Sequence, residues 1–166
     1  MDHDRMLAVL DEAYLGRVDH ELDNRVNEAL DSIAATGPDG VNVLLQRLHR
    51  DVRIEELGIL RTNFSGEMAH NRWLQLVMVV DAIGRTRSRT AVPKLLGLLA
   101  ARSQIAQFYD LLQPALVRAL AKTGDKETVG PLRANARRED IRDRTREELR
   151  KAIRSLAGKA WWQFWR

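Results

Sequence analysis

Along this chain Leu22, Val26, Ala29, Leu30 and Ile33 fall at i, i+4, i+7, i+8 and i+11. That is one apolar stripe on one face of a helix running from about Asp19 to Ala35. A shorter pattern over Met6–Tyr14 predicts a first helix ending near Gly16. Gly37-Pro38 closes the second helix, because glycine accepts a left-handed cap and proline cannot extend the hydrogen-bond ladder. Asp39 is placed to cap a third helix whose Val41, Leu44, Leu45 and Leu48 face inward. From Trp73 to Ile83 only Gln75 and Asp81 interrupt an apolar run, so the helix over 67–84 is expected to be buried on every side, between two neighbours. Pro114 lies inside a helical pattern over Gln104–Lys122 and should kink that helix or start a new one. Ile141, Leu149, Ala152, Ile153 and Leu156 form a single stripe on a closing helix from about Asp140 to Ala157.

The pattern repeats. Val41-Leu44-Leu45-Leu48 has the spacing of Val92-Leu95-Leu96-Leu99, and Ala119-Leu120-Ala121-Lys122-Thr123 matches Ala82-Ile83-Gly84-Arg85-Thr86 at an offset of 37. Val129 and Leu132 hold the Val92 and Leu95 positions, whereas Arg133 and Ala136 replace Leu96 and Leu99. Loss of apolar positions is expected in a terminal repeat, which has one fewer neighbour. The first copy lies about 50 residues upstream of the second, the excess being a connection from Asp51 to Gly66 whose Ile54, Leu57 and Leu60 predict extra helix. Repeats of this length, each a helical hairpin, stack side by side.

Val80–Ala100, VDAIGRTRSRTAVPKLLGLLA, is a helix end, a basic turn and a second helix entered through Ala91-Val92-Pro93. It resembles the HEAT-like repeats of α-solenoids, including those of the bacterial phycobilin lyase family. The resemblance covers about residues 20–135. It implies an all-α, right-handed α-solenoid of about three HEAT-like helical hairpins with capping helices at both ends. Residues 1–158 would form one repeat domain and 159–166 an aromatic C-terminal tail. A kinked first helix at Pro114 agrees with that repeat type.

Composition and charge sharpen the partner class. At 45% apolar and 30% charged residues over 166 positions, the chain is globular, with room for one continuous core. The net charge of +4 conceals a gradient: −5 over residues 1–50, +2 over 51–100 and +7 over 101–166. Head-to-tail contacts or an acidic partner at the basic end are therefore expected. The absence of cysteine excludes disulfides, thiolate metal sites and cysteine nucleophiles. The acidic start, MDHDRMLAVL, lacks the basic region of a signal peptide, and no apolar run reaches membrane-spanning length. A cytoplasmic location is expected, with peripheral membrane contact through the tail as an alternative.

Little in the chain points to catalysis. Glu67 and His70, at i and i+3, are half of a di-iron helix motif, but the second pair and two further glutamates are missing. His20-Glu21 is similar to the His-Glu dipeptides of HEAT-repeat deoxyhypusine hydroxylases, which use several on successive repeats where this chain has one. The four histidines, His3, His20, His49 and His70, lack metal-ligand spacing. There is no G-x-S-x-G and no phosphate-cradling glycine loop. No catalytic, cofactor-binding or metal-binding residue is expected, and no cofactor. Trp73 reads as a core residue, which argues against the DNA-holding face of HEAT-like alkylpurine glycosylases; nucleic acid is not expected. Arg85-Thr86-Arg87-Ser88-Arg89 reads as a solvated turn with cations near a helix C-terminus, the alternative being a grip on phosphate. The Arg137–Arg154 cluster is interleaved with Glu139, Asp140, Asp143, Glu147 and Glu148, the pattern of a solvated face.

In a solenoid the second helix of each hairpin lines the concave side. The polar residues opposite its apolar stripe are Gln46, Arg50, Lys94, Arg133 and Arg137, a candidate face for an acidic protein partner. Trp161, Trp162, Phe164 and Trp165 expose roughly 150–250 Å² each if left in water. Three arrangements compete for them: folding back on the last hairpin, inserting at a membrane interface beside Lys159 and Arg166, or docking on a partner such as a second copy. The function expected is a non-catalytic scaffold or adaptor. The alternatives are a lyase-associated or chromophore-lyase-like HEAT protein, as the resemblance implies, and a HEAT-like nucleic-acid-binding protein.

Overall fold

In a computed structural model, which describes residues 3–15, 20–56 and 66–162, all regular structure among the described residues is helical. The helices are α1 (His3–Leu15), α2 (His20–Ala34), α3 (Pro38–Glu56), α4 (Gly66–Thr86), α5 (Val92–Ala100), α6 (Gln113–Thr123), α7 (Val129–Ala136) and α8 (Asp143–Trp162).

Local chemistry sets the boundaries. Gly37 takes φ 77°, the left-handed conformation that a side chain resists, and closes the turn after α2. Pro38 then occupies the first turn of α3, where its missing N–H costs nothing. Asp39 therefore sits inside that turn rather than ahead of it, and its charge complements the helix dipole without capping the end. Three threonines close α2, α4 and α6: the hydroxyls of Thr36, Thr86 and Thr123 donate to the carbonyls of Ile33, Ile83 and Ala119 at 2.7, 2.7 and 3.0 Å. Short 3-10 turns, Arg89–Ala91 and Lys126–Thr128, lead into α5 and α7, so the 37-residue offset seen in the sequence recurs in both the turns and the helix starts. Asp125 and Thr128 make a reciprocal cap there, Glu127 N–H donating to Asp125 Oδ1 at 2.9 Å and Asp125 N–H to Thr128 Oγ1 at 3.1 Å.

Pro114 stands in the first turn of α6, and the backbone enters that turn helically from residue 106 without a break. The turn before it, Phe108–Leu112, is π-helical, with Gln113 N–H donating to the carbonyl of Phe108 five residues back. A proline ring collides with the carbonyl four residues earlier, and widening the preceding turn relieves that collision.

The even-numbered helices pack in series. α2 packs on α4, α4 on α6 and α6 on α8; α3 lies against α2 and α4, α5 against α6, and α7 against α8, while α1 covers α2 and touches α4. α4 is the inner member: Trp73, Leu76, Val79, Val80, Ala82 and Ile83 are all buried. Trp73 meets Phe108 edge-on with ring centroids 6.4 Å apart, and Phe108 meets Tyr109 the same way at 5.3 Å. The burial of α4 is not complete, because Leu74 is 38% exposed. The connection beyond Glu56, including Leu57 and Leu60, lies outside the described residues; up to Glu56, with Ile54, it continues α3. The closing helix starts at Asp143 and extends through Trp161 and Trp162, with Ile141 buried in the turn ahead of it.

α4 and α6 approach closely at Gly84, where an added Cβ would lie 3.1 Å from Ala119 Cα and 3.3 Å from its Cβ. At Gly97 of α5 the same atom would meet nothing within 4 Å. Thermal unfolding should therefore show Gly84→Ala destabilising by about 1–2 kcal/mol. Gly97→Ala should stabilise by about 0.5–1 kcal/mol through helix propensity.

Candidate functional site

α3 and α5 enclose a groove of about 820 Å³. From α3 come Leu45, Gln46, His49, Val52 and Arg53, spaced so that they share one helix face. From α5 and its end come Lys94, Gly97, Leu98 and Ala101, again on one face. Leu45 and Val52 are buried and Leu98 is half-buried, giving an apolar floor; Gly97, with open space where its side chain would be, deepens it. Gln46, His49, Arg53 and Lys94 are exposed and form the rim. The lining includes no carboxylate.

Of the five polar residues chosen from the sequence, Gln46 and Lys94 meet across this groove. Arg50 turns the other way: its Nε donates to Asp51 Oδ1 at 3.1 Å and its Nη2 lies 3.8 Å from Asp11 Oδ1. Arg133 is exposed on α7 away from the groove lining. Arg137 belongs to a separate cleft with Arg102, Ser103, Tyr109 and Arg138. The separation has a simple cause. Aligned on the repeated sequence pattern, Gln46 corresponds to Gly97 and Arg133 to Leu96, so the five residues do not hold equivalent positions in it. His49 and Arg53 were missed, although they lie three and seven residues after Gln46, the spacing that keeps a helix face.

A second feature escaped the sequence entirely. Arg47, Asp51 and Glu55 recur every four residues on α3 and are nearly fully buried, as is Arg72 of α4. Arg47 pairs with Asp51 and lies 2.8 Å from Asp11 Oδ1, and Arg72 Nη1 lies 3.4 Å from Glu55 Oε1. This ionic row ties α1, α3 and α4 together behind the groove. Buried pairs of this kind cost desolvation and, once formed, are expensive to break, so they fix geometry.

The basic turn after α4 is a brace. Arg85 donates from Nε and Nη2 to Asp31 Oδ1 at 2.9 and 2.6 Å, reaching the end of α2. Arg89 Nη1 lies 3.3 Å from Asp125 Oδ2, in the turn between α6 and α7. Two of its three arginines thus tie neighbouring turns together. Arg87, between them, holds φ 53°.

In the separate cleft, Arg138 donates to the carbonyls of Leu99 and Ala101 at 3.1 and 3.4 Å, to Asn135 Oδ1 at 3.0 Å, and to both carboxylate oxygens of Asp140 at 2.9 and 2.5 Å. With its fork fully used, Arg138 joins α5 to the α7–α8 turn and has no donor left for a ligand. Among the described residues no group of three or more His, Asp or Glu side chains could hold a metal ion. The side chains of His3, His20, Glu67, His70, Trp161 and Trp162, and all of Phe164 and Trp165, lie outside what the structure describes.

The hydrogen bond from Arg138 holds the Asp140 carboxyl below its ordinary value of 3.8. A depressed carboxylate contributes stability above its unfolded value and loses it as pH falls through the folded one. The native chain should therefore lose melting temperature as pH drops below about 3.8. Asp140→Asn should melt lower at neutral pH and show a flatter dependence in that acid range.

No family model, curated protein or solved structure matches the chain, so what the groove does is argued from its own geometry.

Proposed function

We propose that this protein is a non-catalytic binding module of the HEAT-like, α-solenoid type, and that its α3–α5 groove takes an acidic amphipathic helix from a partner protein. The 37-residue offset shared by turns and helix starts supports the architectural half, as does the packing of α2, α4, α6 and α8 in series. About three hairpins, α2–α3, α4–α5 and α6–α7, carry α1 and α8 at their ends.

One observation carries the functional half: an apolar floor of Leu45, Val52 and Leu98 under a rim of His49, Arg53 and Lys94, with no carboxylate among the lining residues. An apolar floor takes the anchor residues of an amphipathic helix, spaced at i, i+3, i+4 and i+7. A cationic rim selects a helix with acid flanks and raises the rate of encounter. The buried row Arg47–Asp51–Glu55 holds the opposite side of α3 rigid, so little ordering is needed on binding. Arg50 is excluded from the binding set by its engagement with Asp51 and Asp11.

A photo-crosslinking residue at Gln46 should capture a discrete partner in the native cell, whereas the same residue at exposed Glu127 should not. Arg53→Glu with Lys94→Glu should reduce capture from Gln46 about tenfold, the equivalent of about 1.4 kcal/mol, with melting temperature unchanged. Equal capture by the charge-reversed protein would contradict the proposal.

A further inference from the structure

Between α6 and α8 a second groove, of about 540 Å³, brings four cations together: Arg87 from the turn after α4, Arg118 and Lys122 from α6, and Lys151 from α8. The carboxylate in its lining is Glu148, and the hydroxyl of Ser155 lies among the lining as well. Two of the cations are partly neutralised. Arg118 Nη2 is 3.8 Å from Asp81 Oδ2, and Lys151 Nζ is 2.9 Å from Glu147 and 3.3 Å from Glu148. Arg87 and Lys122 have no ion pair among the described residues.

Arg87 is also held at φ 53°, the one non-glycine residue with positive φ among the described residues. Glycine or asparagine takes that conformation at lower cost. An arginine there bears a backbone penalty that its unpaired side chain does nothing within the fold to offset, which points outward to a ligand. The chemistry of that ligand follows from the donors. Guanidinium and ammonium groups converging on a concave site, with a hydroxyl beside them, recognise a phosphate group.

The charge of this region indicates where that phosphate resides. Lys151 and Ser155 share one face of α8, and both α6 and α8 belong to residues 101–166, which carry a net charge of +7. A strongly basic surface is drawn to the negative potential of an anionic lipid leaflet. No helix of the described residues is long and apolar enough to cross a membrane, so contact would be at the surface.

We propose that the α6–α8 groove binds the phosphate of an anionic phospholipid headgroup and lays α8 along a membrane surface. This site is separate from the α3–α5 groove and does not depend on it. The test is sedimentation of the full chain with vesicles of phosphatidylcholine alone or mixed with phosphatidylglycerol. Binding should require the anionic lipid and weaken as salt rises. Arg87→Gly and Lys122→Ala should each lower affinity roughly fivefold. Arg87→Gly relaxes the backbone, so its melting temperature should hold or rise, which separates lost binding from lost folding. Lys94→Ala, in the other groove, should bind vesicles as the native chain does. Undiminished binding by the Arg87→Gly, Lys122→Ala double variant, which keeps the aromatic tail, would overturn the proposal. So would equal binding to neutral vesicles, or capture of inorganic phosphate or a DNA duplex without sedimentation on anionic vesicles.

Discussion

α4 has too much apolar surface to be stable on the outside of anything. Trp73, Leu76, Val79, Val80, Ala82 and Ile83 spread over about half of its circumference, and each fully buried large side chain among them contributes about 1.5–3 kcal/mol when removed from water. The requirement is met by placing α2 on one side, α6 on the other and α3 across it. Gly84 lets α6 come near enough for Ala119 to touch the α4 backbone, and Phe108 reaches the edge of Trp73 from the π-helical turn. The order of the remaining helices follows from this: α8 packs on α6, α7 on α8, and α1 closes the other end over α2. The turns are then fastened by charge, Arg85 to Asp31, Arg89 to Asp125, and Arg138 to the backbone at Leu99 and Ala101.

Much of this was legible in the sequence because apolar spacing and turn chemistry are local signals. The stripes of α2, α3 and α8, the Gly37-Pro38 break and the 37-residue offset all follow from residues close together in the chain. What was not legible depends on distant residues. The row Arg47–Asp51–Glu55 has the spacing of a solvated face, yet Asp11 and Arg72, far away in the chain, bury and pair it. The reverse holds for Leu74, which belongs to an apolar run but has no neighbour to cover it fully. Pro114 announced an interruption, but whether a kink, a new helix or a widened turn resulted depended on what Phe108 packs against.

The candidate site was partly legible for the same reason. Gln46 and Lys94 were reached from the helical repeat, but which cations meet is a question of register between α3 and α5, and no single helix carries that information. Arg50 looked equivalent to Gln46 one turn later, yet Asp51 and Asp11 draw it to the other side. His49 and Arg53 replace it in the groove. The two grooves also divide the chain's charge usefully. One offers Arg53 and Lys94 over an apolar floor, suited to an acidic helix; the other gathers Arg87, Arg118, Lys122 and Lys151, suited to a small anionic group.

Both grooves depend on α4 and α6 forming a rigid interior that the outer helices only cover. Native-state hydrogen exchange measures that dependence helix by helix. The amides of α4 and α6 should exchange slowest, through opening of the whole domain, while those of α1 and the last turns of α8 exchange first by local opening. If the amides of α4 exchanged as fast as those of α1, the central place given to α4 would be wrong.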